Sequence, residues 1–440
     1  MPLDRSAALP GTIRIRAARI PARRAHHPPL IGLTGGPGQA GVIYASTYDF
    51  ILPHGGRDLV LLDQRGTGAS GLLRCPSLEG DAELLSKAVA ACGRRLGARR
   101  SFYTSADSAE DLEALRVRLG APRIALFAVS YGTRVALEYA RRYPQRVERM
   151  ILDSPVAPDT PDALGRETLG AVGRVLRTVC RSGCHGAEAH PVTDMRRLVA
   201  RLRRAPIRRL VRRGGRRSTI SVRVDDVLGL LLSGDLDREL LRAIPPAVRA
   251  ALSGDSRPLL RLRLATIGGD GDGPVSDLSP AVYVATTCEE STLAWDPAAT
   301  PQVRDIQARA ALAATPAAAI DPFDRPAALS FGLLGLCGRW PARERVVAPA
   351  PPLPTTVRTL ILSGDLDLRT PLENARRLAG DLHARLVVER GAGHSVLGVD
   401  TSGCATPAVA AFLAGRRLPV CRPRAAKLTI RGRAAPAPIR

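Results

Sequence analysis

The sequence predicts an α/β fold with a mainly parallel central sheet, split by an inserted helical region. Three observations lead there. Short, nearly all-apolar runs alternate with helix-like segments between Leu30 and Asp153, the order found in parallel sheets covered on both faces. From about Pro158 to Val347 that rhythm stops, and helical patterns rich in Arg, Leu and Ala replace it. Beyond the Pro-rich stretch APAPPLP at 348–354 the alternation resumes. The expected organisation is a core over 1–157, a helical cap insertion over 158–347, the rest of the core over 348–421 and a basic tail over 422–440.

Taken in order, Thr12-Ile13-Arg14-Ile15-Arg16-Ala17 alternates apolar and basic residues and reads as a half-exposed strand. Leu30 to Leu33 is a strand ending in the glycine cluster TGGPGQAG, and Asp58 to Asp63 is a buried strand ending in the loop DQRGTGAS. Leu112, Leu115 and Leu119 recur at helical spacing, with acids in the first half and Gly120 closing the helix. Arg123 to Ala128 is again a buried strand, after which a helix starts beyond Ser130 and stops by Pro144. Val147 to Leu152 makes the next strand and ends at Asp153. In the insert, eleven arginines among the 22 residues from Arg196 to Arg217 are interrupted by Leu198, Val199, Leu202, Ile207, Leu210 and Val211. A solvated amphipathic helix is expected there rather than a nucleic-acid face. Val357 to Leu362 and Arg385 to Val388 are the later strands, and between them Thr370-Pro371-Leu372-Glu373 forms a capping box opening a helix to about Leu382.

With 440 residues, of which 45% are hydrophobic, the chain can bury a sizeable core, which excludes wholesale disorder. Its formal charge is +23, and all 64 basic residues except Lys87 and Lys427 are arginine. Such a balance suits a nucleic-acid partner or an arginine-biased ordinary protein. The 3% aromatic content weighs against base stacking, so no nucleic-acid partner is expected. No run approaches the roughly eighteen apolar residues of a membrane span, so no transmembrane segment is expected. Eight cysteines, at 75, 92, 180, 184, 288, 337, 404 and 421, fall mostly in local couples: Cys75 with Cys92, Cys180 with Cys184 and Cys404 with Cys421. That pattern fits disulfides in an exported protein, although eight cysteines allow about 105 pairings. Reduced core thiols are the alternative, as is a zinc site at Cys180, Cys184 and His185, which lacks a second ligand couple. Met1 leads into PLDRSAALPG with no basic start, apolar run or cleavage site. Either the protein is exported and its leader is missing here, or the cysteines are not bridged and a cytoplasmic location stays open.

Chemistry enters at AVSYGT. Ser130 stands between a buried strand and a helix, the position of a nucleophile elbow, where a strained turn lifts the hydroxyl above the strand ends. Ala128 occupies the place of the first glycine of G-x-S-x-G, and Gly132 keeps the second. A serine needs a base, and the elbow arrangement puts an acid and then a histidine downstream. His394, in the loop GAGHS after the last strand, meets that order, whereas His383 sits at a helix end and the other five histidines precede or lie outside the resumed sheet. The segment SGDLDLRTP offers two acids, Asp365 and Asp367, at one strand end. For a tetrahedral intermediate, the Tyr131 amide supplies one donor and the TGGPG loop, with Gly35, Gly36 and Gly38, can supply another. Neither GK[ST] nor G-x-G-x-x-G follows, so phosphate cradling is set aside, and no cofactor or metal is expected.

The set GGPG, DQRGTGAS, SYGT, GDLDLRTP and GAGHS, in that order, resembles the prolyl aminopeptidase and tripeptidyl aminopeptidase (TAP-like) branch of the α/β-hydrolases. The resemblance spans about Pro2 to Cys421 and implies an α/β-hydrolase fold with a helical cap, acting as a serine exopeptidase on peptides with a free N-terminus. It selects Asp367 as the acid and Gly36 as the second oxyanion donor. It also implies that a cap glutamate in TCEES meets the substrate's amino group, with Glu290 fitting the pattern and Glu289 as its rival. Two departures are a threonine where a histidine often precedes GGPG, and Ala128 in the elbow. Members of the branch are commonly exported and disulfide-bonded, so the resemblance implies bridged cysteines and an exported protein whose leader is missing here, with a cytoplasmic location left open. The expected activity is therefore an aminopeptidase, the alternatives being an esterase or amidase with the same triad, or an idle basic binding protein.

Overall fold

A computed structural model describes all residues except 80–85, 157–161, 182–183, 185–189, 214–215, 268–272, 344, 346–349, 400–402 and 421–440. The main sheet is built from β1 (Ala17–Ile20), β2 (Leu30–Leu33), β3 (Leu59–Leu62), β4 (Ile124–Val129), β5 (Val147–Asp153), β8 (Thr359–Gly364) and β9 (Arg385–Glu389), while β6 (Ile207–Arg213) and β7 (Arg216–Val222) pair separately. In the order β1-β3-β2-β4-β5-β8-β9, every neighbouring pair is parallel except the edge pair β1 and β3. Strands β2, β3 and β8 are buried along their whole length, as continuous apolar runs require when helices cover both faces. One face packs on the helices Ser105–Arg118, Tyr131–Arg142 and Leu372–Asp381 through Leu112, Leu137 and Leu378. The other packs on Tyr48, Val396 and the helix Ala405–Leu413.

Between β5 and β8 the chain leaves the sheet and builds its own core from Val172, Leu198, Leu231 and Leu241. The boundaries expected near 158 and 347, and the tail from 422, fall outside the described residues. A second apolar cluster sits across the seam between the two parts, joining Cys75, Cys92 and Tyr103 to Val284, Cys288, Cys337 and Trp340. Disulfides link Cys75 to Cys92, Cys180 to Cys184 and Cys288 to Cys337. The Cys180 and Cys184 sulfurs, bonded to each other, are therefore not a thiolate pair for zinc, and His185 lies outside the described residues. Cys404 is also disulfide-bonded, and its expected partner Cys421 lies outside them too.

Three local expectations change. The alternating run at Thr12–Ala17 is not the edge strand, which begins only at Ala17; Thr12 pairs with Pro2 in an isolated bridge, and the Ile13 amide donates to the Met1 carbonyl. Its alternation is real, since Ile13 is buried, but it serves the seam cluster and not the sheet. The arginine-rich run is not one helix. The helix Pro191–Arg204 buries Leu198, Val199 and Leu202, and the chain turns extended at Ala205 because Pro206 disfavours helical geometry in the residue before it. The remaining arginines continue into the β6–β7 hairpin. Finally, the helix Leu372–Asp381 has no side-chain cap from Thr370, whose hydroxyl is engaged by a buried carboxylate.

Candidate active site

Ser130 follows β4 directly with φ 53° and ψ −125°, a backbone conformation that costs a non-glycine residue roughly 1–3 kcal/mol. Neighbours hold it there. Its amide donates to the Asp153 carbonyl at 3.0 Å, and its own carbonyl accepts from the Thr133 amide and, at 2.6 Å, from the Thr133 hydroxyl. Gly132 is required by space, because a Cβ there would lie 2.5 Å from the Leu33 carbonyl oxygen. Ala128 is fully buried in β4, so a methyl group fits where the usual elbow has its first glycine. Tyr131 opens the helix, where the first amides have no intrahelical acceptor.

The TGGPG loop touches the elbow directly, since a Cβ on Gly35 would fall 3.0 Å from Ser130 Cβ and 3.5 Å from Ser130 Oγ. Gly36 has φ +103°, in the region glycine favours. The DQRG segment fastens this loop. Gln64 Nε2 donates to the Thr34 carbonyl, and the Asp63 carboxylate accepts from the amides of Gly41, Val42 and Ala69. Two sequence motifs thus act as one structural unit.

After β8, Asp367 is wholly buried and places Oδ2 3.0 Å from His394 Nδ1. Its carboxylate also accepts from the Thr370 amide and hydroxyl, each at 2.8 Å. That is why Thr370 is no helix cap. Burial pushes the Asp367 carboxyl up, but the charge and hydrogen bond of His394 with the Thr370 donors outweigh it, leaving the group below its ordinary value. Burial likewise pushes the His394 imidazole down, and the charge and bond of Asp367 together with the Asp235 charge carry it above its ordinary value. Asp365 plays a different part, accepting from the Gly391 amide at 2.6 Å and so closing the turn.

Loop amides around His394 find acceptors from several elements, as buried backbone donors must. Val396 and Leu397 donate to the Asp153 carboxylate at 2.8 Å each, Ser395 donates to Ser154 Oγ, and His394 donates to the Asp235 carbonyl. Burial raises the Asp153 carboxyl to about 6, and the two amides oppose that rise. Sequence reasoning missed Asp153, Thr370 and Asp235. The first carried a usable signal, an acid at a strand end next to the elbow strand; Asp235, in the insert, carried none.

Glu289 and Glu290 end the insert helix Pro280–Glu290 and have separate surroundings. Glu289 is buried, with its oxygens bound by Arg100, Ser101 Oγ and Trp340 Nε1. Glu290 accepts from the amide and hydroxyl of Ser105 at 2.7 and 2.8 Å and pairs with Arg134 Nε at 3.2 Å, and its charge acts on the Tyr131 hydroxyl. Burial and the Glu290 charge hold that hydroxyl well above its ordinary pKa. Both glutamates therefore pair with arginines of the core, and Glu290 is tied through Arg134 to the helix that follows Ser130. His383 lies outside this assembly, at the end of the Leu372–Asp381 helix. Among the described residues no cluster of His, Cys, Asp and Glu side chains is arranged to hold a metal ion.

Residues 28–178 match the family described as alpha/beta hydrolase fold, and residues 326–423 match the one described as TAP-like protein. The chain is an α/β-hydrolase. This hydrolase is similar to the serine protease Hip1 of Mycobacterium tuberculosis, 27% identical over 437 residues that cover 88% of this chain and 78% of that one. It is also similar to the tripeptidyl aminopeptidase of Streptomyces lividans, 28% identical over 194 residues covering 36% of this chain and 34% of the relative. A probable proline iminopeptidase of Streptomyces coelicolor is 32% identical over 127 residues, covering 29% and 32% of the two chains. The hydrolase thus belongs with serine-peptidase-like α/β-hydrolases of the TAP-like branch. Among the described residues no helix is long and apolar enough to cross a membrane.

Proposed function

We propose that this hydrolase is a serine aminopeptidase that releases amino acids or short peptides from free N-termini through an acyl-enzyme on Ser130. In this reading Ser130 Oγ attacks the scissile carbonyl, His394 takes its proton and returns it to the leaving amine, and Asp367 holds the imidazole with Nδ1–H toward itself. The Gly36 and Tyr131 amides stabilise the oxyanion. The observation that carries the reading is the buried bond between Asp367 and His394 at the same end of the parallel strands as the strained Ser130. Labelling of Ser130 by a fluorophosphonate is the expected result; absence of labelling would leave the idle binding protein as the better account.

Recognition of the amino end is assigned to Glu290, because its carboxylate pairs with Arg134 on the helix that follows the nucleophile. Glu289, with both oxygens bound inside the protein, acts as the strut that holds the insert helix. Since a carboxylate offers about four acceptor positions, an ammonium would replace Arg134, whose side chain is 24% exposed and sits 3.2 Å away. The donors that Glu290 already has, from Ser105 and Arg134, favour a second reading, an esterase or amidase without amino-end recognition. Free and N-acetylated aminoacyl, dipeptidyl and tripeptidyl amides separate the two: hydrolysis unaffected by acetylation would remove the aminopeptidase. We further propose that the protein works outside the cytoplasm, on the strength of its disulfides.

A further inference from the structure

Asp235 stands just beyond the insert helix Val224–Gly234, at its C-terminal end, where a negative charge is disfavoured by the helix dipole. Its bonds nevertheless reach the two loops bearing Asp367 and His394. One carboxylate oxygen accepts from the Arg369 amide at 3.1 Å and, at 3.4 Å, the Leu368 amide; the other accepts from Arg369 Nε at 3.0 Å. The Asp235 carbonyl accepts from the His394 amide at 2.9 Å. Packing there is tight, since a Cβ on Gly393 would lie 1.7 Å from that carbonyl oxygen. On either side of Asp367, Leu366 and Leu368 are buried in the insert's own apolar core, so the acid-bearing turn is plugged into the insert. A residue that breaks a local rule in a buried place calls for a tertiary reason.

We propose that Asp235 is a positioning residue through which the docked insert holds the Asp367 and His394 loops together and adds a second negative charge beside the imidazole. The inference rests on the reading of Ser130, His394 and Asp367 given above. His394 faces Asp367 from its own strand-end turn, Asp235 and Arg369 across the seam, and Asp153 from β5. Asp235 faces Arg369, Asp367 and His394. Burial lifts its carboxyl to about 6, with Arg369 opposing the rise and Asp367 adding to it, so the charge is present at neutral pH. With Asp235 ionised, the charges of Asp235 and Arg369 offset each other at the imidazole; removing only Asp235 leaves Arg369 to favour neutral His394.

The test is the acid limb of kcat/KM in the full chain, with the His394 imidazole titrated in parallel by NMR. Asp235→Asn is expected to move the limb and the imidazole pKa down by about half a unit or more and to lower kcat. The double variant Asp235→Asn with Arg369→Gln, which removes both charges, is expected to bring the limb back toward the parent. Asp235→Glu keeps the charge and is expected to lower kcat with the limb unmoved. Should the asparagine variant not fold, Asp235→Ser removes the same charge with a smaller side chain and is expected to move the limb in the same direction. A limb unchanged in the charge-removing variants, while Ser130 still takes the fluorophosphonate, overturns the coupling alone. A parent that takes no label at Ser130 overturns the triad reading and this coupling with it.

Discussion

Near the sheet, Arg65 is 2% exposed and spends its guanidinium on both oxygens of Asp111 at 2.8 Å and on the carbonyls of Leu3 and Phe102. On the β6–β7 hairpin, Arg208 and Arg209 stand exposed on an element whose inward residues are Ile207, Ile220 and Val222. The same residue type is an internal strut in one region and a solvated coat in the other. Arg57 with Glu148 and Arg100 with Glu289 repeat the first pattern, and Arg196 with Asp321 repeats the second. A buried guanidinium contributes only while its partners are in place, whereas an exposed one is screened and nearly dispensable. The net charge of +23 therefore sums two unlike populations and is no guide to a partner by itself.

The contrast can be broken at the site first. Ser130→Ala is expected to lower kcat on aminoacyl amides by about 10⁴-fold or more without loss of stability, read by steady-state assay beside thermal melting. Next in size, Asp111→Ala strands the Arg65 charge and is expected to cost about 3–5 kcal/mol in urea unfolding; a change below about 1 kcal/mol would place Arg65 with the exposed population. Glu290→Gln weakens the proposed ammonium contact and is expected to raise KM about tenfold for free peptides and not for acetylated ones. The pH profile sharpens the picture further. Because the proposed mechanism needs a neutral His394 to accept a proton and its pKa is held above the ordinary value, kcat/KM should fall with acidity through an apparent pKa higher than that of a free histidine. A limb at or below about 6.5 would show that Asp367 and Asp235 do not act on the imidazole as described. The smallest effect is expected on the hairpin, where Arg208→Gln with Arg209→Gln should change stability by no more than about 0.5 kcal/mol and leave kcat/KM unchanged.

Much of the frame was legible in the chain because the signals are local. Short apolar runs marked β2, β3, β4, β5 and β8 within a few residues, and Ser130 announced itself by sitting between a strand and a helix. Where the signal was read too simply, a specific residue explains it: Pro206 turned the expected arginine-rich helix into a helix followed by a hairpin, and Ile13 alternated for the seam cluster rather than for the sheet. Thr370 had the right spacing for a helix cap, but its hydroxyl is turned to the buried Asp367 carboxylate three residues back, to which it donates a charge-assisted bond.

The sequence by itself determined the α/β class, the insertion, the order of serine, acid and histidine, and a short list of residues for each position, since all of these follow from spacing along the chain. The tertiary structure put Asp367, which the family resemblance had already selected over Asp365, in contact with His394, and it alone decided that Glu289 is buried against Trp340 while Glu290 meets Ser105 and Arg134, and that Asp235 reaches both loops from the insert. The physical reason is common to the three. Each turns on which of two neighbouring carboxylates, or which distant one, finds donors after the insert packs on the sheet, and those donors lie far away in sequence.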